Sequence, residues 1–206
     1  MIDTLITARN VGCIYSEKTE VEALSTKGIF VDSLGIPRVG ITVITGKSGS
    51  GKSTLLGLVS RIREENAQSK NPLLQLHSKN GDVSLLKNED IKGTMGFVFQ
   101  EPHLIKNITV EANAELAFKA IGKSVSGSQI KELAKLFEID HLWYEPASTL
   151  SGGQAQRLSV LRALAVDPEI LICDEPTSSL DDETANSLLK ILSNWAKNHN
   201  KAILWV

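Results

Sequence analysis

The fold of this chain is decided by the stretch Gly46-Lys-Ser-Gly-Ser-Gly-Lys-Ser-Thr54, which satisfies the pattern G-x-x-x-x-G-K-[ST]. The β-prone run 41–45 comes directly before it, and a helical pattern comes directly after it. Its glycines let the backbone curl so that successive N–H groups point inward, and the start of the helix adds partial positive charge. The stretch therefore predicts a loop that binds a nucleoside triphosphate.

Two side chains of this loop have specific expected tasks. Lys52 is expected to reach the terminal phosphates, and the Ser53 hydroxyl is expected to ligate Mg²⁺. A glycine- and serine-rich turn without a ligand is the alternative, but the preceding strand and the following helix argue against it. The other expected contacts to ATP come from Gly46, Lys47, Ser48, Gly49, Ser50, Gly51 and Thr54.

Composition and charge limit the other classes of function. The chain has 206 residues and a formal net charge of −2 without a long basic run, so we expect no nucleic-acid partner. No stretch reaches the roughly 18 to 20 apolar residues needed to cross a bilayer, and the start of the chain does not have the pattern of a secretory signal. The cysteines Cys13 and Cys173 lie far apart and do not predict a metal site; Cys173 is expected to be a reduced, buried thiol.

Short apolar runs alternate with helical patterns along the chain. The runs 41–45, 95–99, 169–173 and 202–206 suit strands that are covered on both faces, as in a parallel sheet. This alternation predicts an α/β fold, most simply a doubly wound sheet, with a small antiparallel β layer up to Arg38. Three helical faces are predicted: Leu55, Leu58, Val59 and Ile62; Ile130, Leu133, Ala134 and Phe137; and Ala185, Leu188, Leu189, Leu192, Trp195 and Ala196.

The organisation predicted is one domain over residues 1–206. Segments 1–101 and 150–206 form its α/β core, a P-loop nucleotide-hydrolase core, and segment 102–149 reads as an inserted helical subdomain.

Two carboxylates follow one of the predicted strands. Asp174 and Glu175 come directly after the run 169–173, at the edge of an open α/β sheet where ligands gather. Asp174 is expected to hold Mg²⁺, and Glu175 is expected to orient or deprotonate the attacking water. Alone, such a pair is equally well a solvated turn or a helix cap; together with the phosphate loop it predicts a catalytic site.

The stretch Leu150-Ser-Gly-Gly-Gln154 resembles the signature LSGGQ of the nucleotide-binding domains of ABC transporters. Read physically, it is a second anion-binding turn before a helix that carries Leu158, Leu161 and Leu164 on one face. The resemblance implies that two such domains pair head to tail. It also implies that the signature loop, with Ser151, Gly152, Gly153 and Gln154, caps the ATP held by the partner.

Further positions match this family in order and spacing. Gln100 resembles the Q-loop glutamine, which contacts Mg²⁺, takes part in catalysis and couples the sheet core to the helical subdomain. The stretch that ends at Asp181 resembles the D-loop, which contacts the opposite subunit. Tyr15 lies where the family places an aromatic ring that stacks on adenine. The resemblance covers essentially the whole chain, from about Ala8 to Val206.

One family element does not appear in the sequence. The family places a histidine just beyond the strand after the D-loop, and here the chain stops at the end of that strand. His199 precedes the strand and is expected to be an exposed residue at a helix end. The pattern favours a truncated sequence, lacking the C-terminal end of the usual domain, over a naturally short domain. Hydrolysis by the 206-residue form is therefore a conditional expectation.

The resemblance implies an ATP-hydrolysing subunit that dimerises on ATP and drives a separate permease. The inserted helical segment and the region 101–110 resemble the part that receives the permease. This would place the protein in the cytoplasm on the inner face of the membrane. The short length looks more like small exporter or lipoprotein-releasing ATPases than like sugar importers. Two alternatives stay open: a soluble ABC ATPase that acts on ribosomes or DNA, and a non-hydrolysing module within a heteromeric pair.

Overall fold

The computed structural model describes residues 3–17, 25–62, 73–78, 81–85, 93–122 and 127–206. The chain divides into two compact units, and each is described by itself. The first unit takes in Met1–Arg38, Thr42–Ile91 and Val206, and the second takes in Val39–Ile41 and Lys92–Trp205.

The described residues form strands and helices in the following order. The strands are β1 (Thr4–Glu17), β2 (Ser25–Pro37), β3 (Gly40–Val43), β4 (Leu73–Ser78), β5 (Gly81–Ser84), β6 (Met95–Val98), β7 (Ile170–Cys173) and β8 (Ala202–Trp205). The helices are α1 (Lys52–Val59), α2 (Val110–Ala120), α3 (Gly127–Leu136), α4 (Gly152–Leu164) and α5 (Asp182–His199), with short 3-10 turns at Asp140–Leu142 and Ala147–Thr149.

The first unit contains an antiparallel sheet in the order β2-β1-β4-β5. Along β4, Leu74 and Leu76 are buried, whereas Gln75 and His77 on the opposite face are partly exposed. This alternation is typical of a sheet with one face on a core. The predicted antiparallel layer is confirmed. Strands β4 and β5 were not predicted, because six and four residues carry too little periodicity to stand out.

Helix α1 follows the loop 46–51 and buries Leu56, Leu58 and Val59. The prediction that Ile62 continues the buried face is wrong, because the helix ends at Val59 and Ile62 is 56% exposed. Arg61 has a φ of 62°, which is incompatible with a continuing right-handed helix.

A second sheet has the order β3-β8-β7-β6, and its strands β6, β7 and β8 belong to the second unit. Strands β6, β7 and β8 run parallel, and the Gly40 N–H donates to the Lys201 carbonyl at 3.0 Å beside β8. All residues of β7 are buried, as expected for a central parallel strand covered on both faces. The predicted α/β fold with a mostly parallel sheet is confirmed.

The helices of the second unit enclose one apolar core. Its members from the sheet include Val98, Leu171 and Ile203, and the helices add Leu158 and Leu192. The prediction that Leu189 belongs to the buried face of α5 is wrong, because it lies next to buried Leu188 and is 40% exposed. Segment 102–149 is helical as predicted, with α2 and α3, while the limits of the predicted domain stay a prediction.

Candidate functional site

The phosphate loop of the first unit takes its shape from glycine conformations. Gly49 and Gly51 have φ of 76° and 90°, in the left-handed region that L side chains rarely adopt. The Ser50 N–H donates to the Lys47 carbonyl at 3.1 Å, which closes the turn. A Cβ on Gly46 would lie 2.7 Å from the Ser50 Oγ, so the Ser50 hydroxyl would have to rotate away to admit one. The backbone thus forms a curled turn whose left-handed positions, Gly49 and Gly51, favour glycine.

Helix α1 begins at Lys52, directly after the loop. Its N-cap is Gly51, which supplies no side-chain acceptor, and no acidic side chain lies in the first turn. The first amides of a helix have no partner inside the helix and carry partial positive charge. The arrangement therefore fits a bound anion such as a phosphate group.

The side chains of the loop differ in their placement. The Lys52 Nζ donates to the carbonyls of Gly46 and Lys47 at 3.1 and 3.3 Å, which holds the ammonium group against the loop. Ser53 is exposed, whereas Thr54 is buried, so Thr54 packs into the core side of α1. Lys47 and Ser48 are exposed at the turn.

In the second unit, the predicted acidic residues follow the buried strand β7. The Asp174 N–H donates to the Val98 carbonyl at 2.9 Å, which extends the pairing of β7 with β6 by one residue. Glu175 has a φ of 45°, a left-handed conformation that is costly for a residue with a Cβ. The Ser178 N–H and Oγ both donate to the Glu175 carbonyl, at 3.2 and 3.0 Å, and hold this turn in place.

Gln100 joins this turn through its side chain. Its Nε2 donates to the Ser178 Oγ at 3.2 Å, and the Ser178 Oγ donates onward to the Glu175 carbonyl. The structure thus brings together Gln100, the backbone of Glu175 and the start of the stretch 178–181. The phosphate-loop residues belong to the other compact unit.

The signature stretch forms the N-terminus of α4 as a capping box. The Ser151 Oγ accepts from the Gln154 N–H at 3.3 Å, and the Gln154 Oε1 accepts from the Ser151 N–H at 2.9 Å. These two side chains are therefore engaged with each other. The N–H groups of Gly152 and Gly153 lie in the first turn, where the helix itself offers no acceptor. Helix α4 buries Leu158, Leu161 and Leu164 as predicted.

Asp181 acts as the N-cap of α5. Its carboxylate accepts from the Thr184 N–H at 2.9 Å and from the Thr184 Oγ1 at 2.8 Å. Hydrogen bonds from the Thr184 backbone and side chain hold the pKa of Asp181 below its usual value. The Asp181 side chain therefore stabilises the N-terminus of α5 in its own chain.

Three other predictions have different outcomes. Tyr15 pairs with Lys27 in the strand register, but its side chain lies outside the described residues, as does that of Cys13. Cys173 is a free, fully buried thiol, as predicted, and its burial raises its pKa far above the ordinary value. His199 is exposed at the end of α5, as predicted.

Sequence reasoning missed three polar residues around segment 99–105, of which Gln156 and Asn113 are buried and Arg162 is partly buried. Gln156 donates to the Phe99 carbonyl, Arg162 donates to the Pro102 and His103 carbonyls, and Asn113 pairs with both backbone groups of Ile105. No local motif marks these residues. The one available signal is that Gln156 and Asn113 have apolar residues near them in the sequence, and a polar side chain that becomes buried needs a hydrogen-bond partner.

This chain is similar to known proteins in sequence and in fold. A family model described as ABC transporter matches residues 31–178. The lipoprotein-releasing system ATP-binding protein LolD of Neorickettsia sennetsu is 30% identical over 196 residues, covering 94% of this chain and 84% of that protein. The methionine import ATP-binding protein MetN of Desulfitobacterium hafniense is 31% identical over 204 residues, covering 98% of this chain and 58% of that protein. The chain thus spans most of the first relative and less than two thirds of the second.

Two solved structures share the fold. The ATP-binding cassette MJ0796, in a dimeric post-hydrolysis state bound to ADP and Pi, has a TM-score of 0.77 and 26% identity, with 98% of this chain and 87% of that chain covered. The ADP conformation of MJ1267, an ATP-binding cassette of an ABC transporter, has a TM-score of 0.74 at 19% identity, with coverage of 98% and 80%. None of the helices that the structure describes is both long enough and apolar enough to span a membrane.

Proposed function

This chain belongs to the ABC transporter family as an ATPase, and we propose that it closes on a second ATPase subunit around ATP to drive a separate membrane permease. The observation that carries the proposal is the cradle of the phosphate loop, with its left-handed glycines and the Lys52 ammonium held against the loop carbonyls. A curled backbone, a helix N-terminus and a lysine together match the charge and shape of a triphosphate.

Binding of ATP is assigned to the loop and α1. The backbone of Gly46, Lys47, Ser48, Gly49, Ser50, Gly51 and Thr54 provides the N–H groups, and Lys52 neutralises terminal phosphate charge. The two carbonyls that hold Lys52 are weak partners for an ammonium group compared with phosphate oxygens, so the side chain is free to exchange them. Tyr15 is the proposed stacking partner of adenine.

Hydrolysis is assigned to Glu175 with the help of Gln100. The Glu175 carboxylate orients the attacking water and accepts its proton, and the fixed turn at Ser178 keeps the Glu175 backbone in one conformation. Oxygen donors from Ser53, Gln100 and Asp174 suit Mg²⁺, which supplies electrostatic stabilisation of phosphate charge when bound.

The signature loop is proposed to act on the ATP of the partner subunit. The capping box engages Ser151 and Gln154 with each other, and it holds the amides of Gly152 and Gly153 at the N-terminal end of a 13-residue helix. These amides and the helix dipole suit a phosphate supplied from outside the chain. A dimeric relative bound to ADP and Pi supports the pairing.

Segment 101–110 is proposed as the docking face for the permease. Ile105 exposes 49% of its surface within this segment, and Phe99 exposes 36% just before it. The backbone at both positions is nevertheless held by buried side chains. Exposed apolar side chains on a fixed backbone suit a protein partner. This assignment places the protein in the cytoplasm, on the inner face of the membrane beside its permease.

The replacement Glu175→Gln tests the catalytic assignment. We expect turnover to fall by about a hundredfold or more, since the proton acceptor is lost, while ATP binding persists. In the presence of ATP and Mg²⁺ the variant should elute as a dimer in size-exclusion chromatography with light scattering. The matched control is Glu132→Gln on the exposed side of α3, where the carboxylate pairs with Lys135 at 2.9 Å.

The outcomes separate the alternatives. Equal turnover in both variants removes Glu175 from its role, and a monomer under all conditions contradicts the pairing. If the wild-type protein binds ATP but does not hydrolyse it measurably, the chain is the non-hydrolysing module of a heteromeric pair. Co-fractionation with membranes through a multi-span protein supports transport, whereas recovery with ribosomes or DNA alone identifies the soluble alternative.

A further inference from the structure

The backbone around Gln100 is held by two side chains of the signature helix. Gln156 on α4 donates from its Nε2 to the Phe99 carbonyl at 3.1 Å. Arg162 on the same helix donates from its two terminal nitrogens to the carbonyls of Pro102 and His103, at 3.0 and 2.9 Å. Gln100 thus lies between two points of attachment to α4.

The attachment by Arg162 depends on an unusual backbone conformation. Consecutive carbonyls of an extended chain point to opposite sides, so one guanidinium cannot normally reach both of them. His103 has a φ of 45°, and this turn lets both carbonyls face Arg162. The planar fork of a guanidinium fits two acceptors at once, which an ammonium group does not match.

Removing these side chains from water is costly unless their hydrogen bonds form, and Gln156 is buried whereas Arg162 is partly buried. Gln156 is fully buried, and its Oε1 has no partner within the described part of the chain, so its bond to Phe99 sets its orientation. Burial lowers the pKa of Arg162 below its usual value, and no carboxylate among the described residues forms an ion pair with it. The guanidinium therefore serves the two carbonyls rather than a counter-ion.

The helix is also packed directly on the strand that leads to Gln100. A Cβ added to Gly96 of β6 would lie 2.6 Å from the Ala163 carbonyl oxygen of α4. The strand and the helix are thus in contact along the backbone, next to Arg162. Together with the hydrogen bonds, this contact leaves segment 99–103 little freedom to move without α4.

From these contacts we infer that Gln156 and Arg162 are positioning residues that couple the signature helix to Gln100. They hold the backbone on both sides of Gln100, so that its side chain stays within reach of Ser178, which it contacts at 3.2 Å. A shift of the signature loop is then transmitted through α4 to Gln100 and the turn of Glu175. The expected change in turnover rests on the proposed function, whereas the expected change in hydrogen exchange of the backbone around Gln100 does not.

The test removes the donors and keeps the shape of each side chain. The variants are Gln156→Met and Arg162→Met, with Arg162→Lys as the conservative variant. The matched control is Arg157→Met, because Arg157 lies on the same helix and donates to the Phe137 carbonyl, the Glu138 carboxylate and Ser187. Among the described residues, none of its hydrogen bonds reaches segment 99–103. The readouts are hydrogen–deuterium exchange of the amides in 99–106, and kcat and KM for ATP.

We expect exchange in 99–106 to rise about fivefold or more in both test variants, because each loses at least one hydrogen bond that closes the segment. Turnover should fall about tenfold to a hundredfold with an unchanged KM for ATP, since Gln100 is misplaced while the phosphate loop is intact. Arg162→Lys should recover part of the charge-assisted bonding and reach an intermediate value. Arg157→Met should leave exchange in this segment at the wild-type level.

Two results would overturn the inference. The first is wild-type exchange in 99–106 for both test variants. The second is an equal rise in the Arg157→Met control, which would show general loosening of α4 instead of a local clamp. If the wild-type protein does not bind or hydrolyse ATP, the proposed function fails, but the exchange experiment still decides whether Gln156 and Arg162 hold the segment.

Discussion

The phosphate loop and the segment around Gln100 are both fixed backbones, but they are fixed by different means. The loop takes its shape from glycine conformations within nine consecutive residues, 46–54. The segment 99–105 is held by side chains of α2 and α4 that lie up to 60 residues away in sequence. A contiguous motif can be recognised in the sequence, whereas hydrogen bonds between residues far apart in the chain can be found only in the folded structure.

The largest expected effect tests the close packing in the second unit. Gly96→Ala places a Cβ against the Ala163 carbonyl oxygen and the Leu171 side chain, at 2.6 and 3.1 Å. Backbone must shift to relieve this overlap, so we expect a loss of about 2–3 kcal/mol in the free energy of unfolding. Urea unfolding measures it.

The control for this change is Gly152→Ala, where a Cβ meets nothing within 4 Å and φ is not positive. Its stability should be unchanged or slightly higher, because alanine favours a helix. If both variants unfold alike, glycine at 96 does not serve close packing.

A smaller effect is expected from the glycine conformations of the phosphate loop. Gly51 has a φ of 90° and precedes the first residue of α1. Gly51→Ala should cost about 1–2 kcal/mol of stability and weaken ATP binding, because an alanine Cβ disfavours this conformation. Gly51→Asn should be closer to wild type, since asparagine tolerates the left-handed region better. Thermal unfolding and ATP titration measure stability and ATP affinity, and both should decrease in the order wild type, Gly51→Asn, Gly51→Ala. Any other order would show that the left-handed conformation is not the reason for glycine at this position.

The smallest effect concerns pH and the cap of α5. The pKa of Asp181 is lowered in the folded protein by its hydrogen bonds to Thr184. A lowered folded pKa contributes stability that is present above the unfolded value, about 3.9, and is lost as the pH falls through the folded value. Asp181→Asn keeps an acceptor for the Thr184 N–H but does not titrate. We therefore expect the Tm difference between wild type and this variant to shrink from pH 7 toward pH 3; a constant difference would contradict the account.

These differences explain what the sequence could predict. The strands 41–45, 95–99, 169–173 and 202–206 were placed to within two residues at either end, because continuous apolar runs are typical of parallel-sheet strands. The expectation that both faces are covered holds for β7 but not for β3, where Val43 is 58% exposed. The phosphate loop, the signature turn and the acidic strand end were located because each is a short contiguous motif.

The errors and omissions also have physical causes. Ile62 and Leu189 were misplaced because periodicity does not show where a helix ends or how wide its buried face is. Gln156 and Arg162 were missed because their acceptors are backbone carbonyls 57 to 60 residues away, and every residue type offers such a carbonyl.

The central claim is that the phosphate loop of this chain binds ATP. The most direct test compares the ATP affinity of the wild-type protein with that of Lys52→Ala. Isothermal titration should show ATP binding to the wild-type protein and an affinity at least about tenfold weaker in Lys52→Ala, because a charge-assisted contact to phosphate is lost. The control Lys190→Ala removes an exposed lysine from α5 and should bind as wild type does. Equal affinity in wild type and Lys52→Ala, or no binding by the wild type, would contradict the claim.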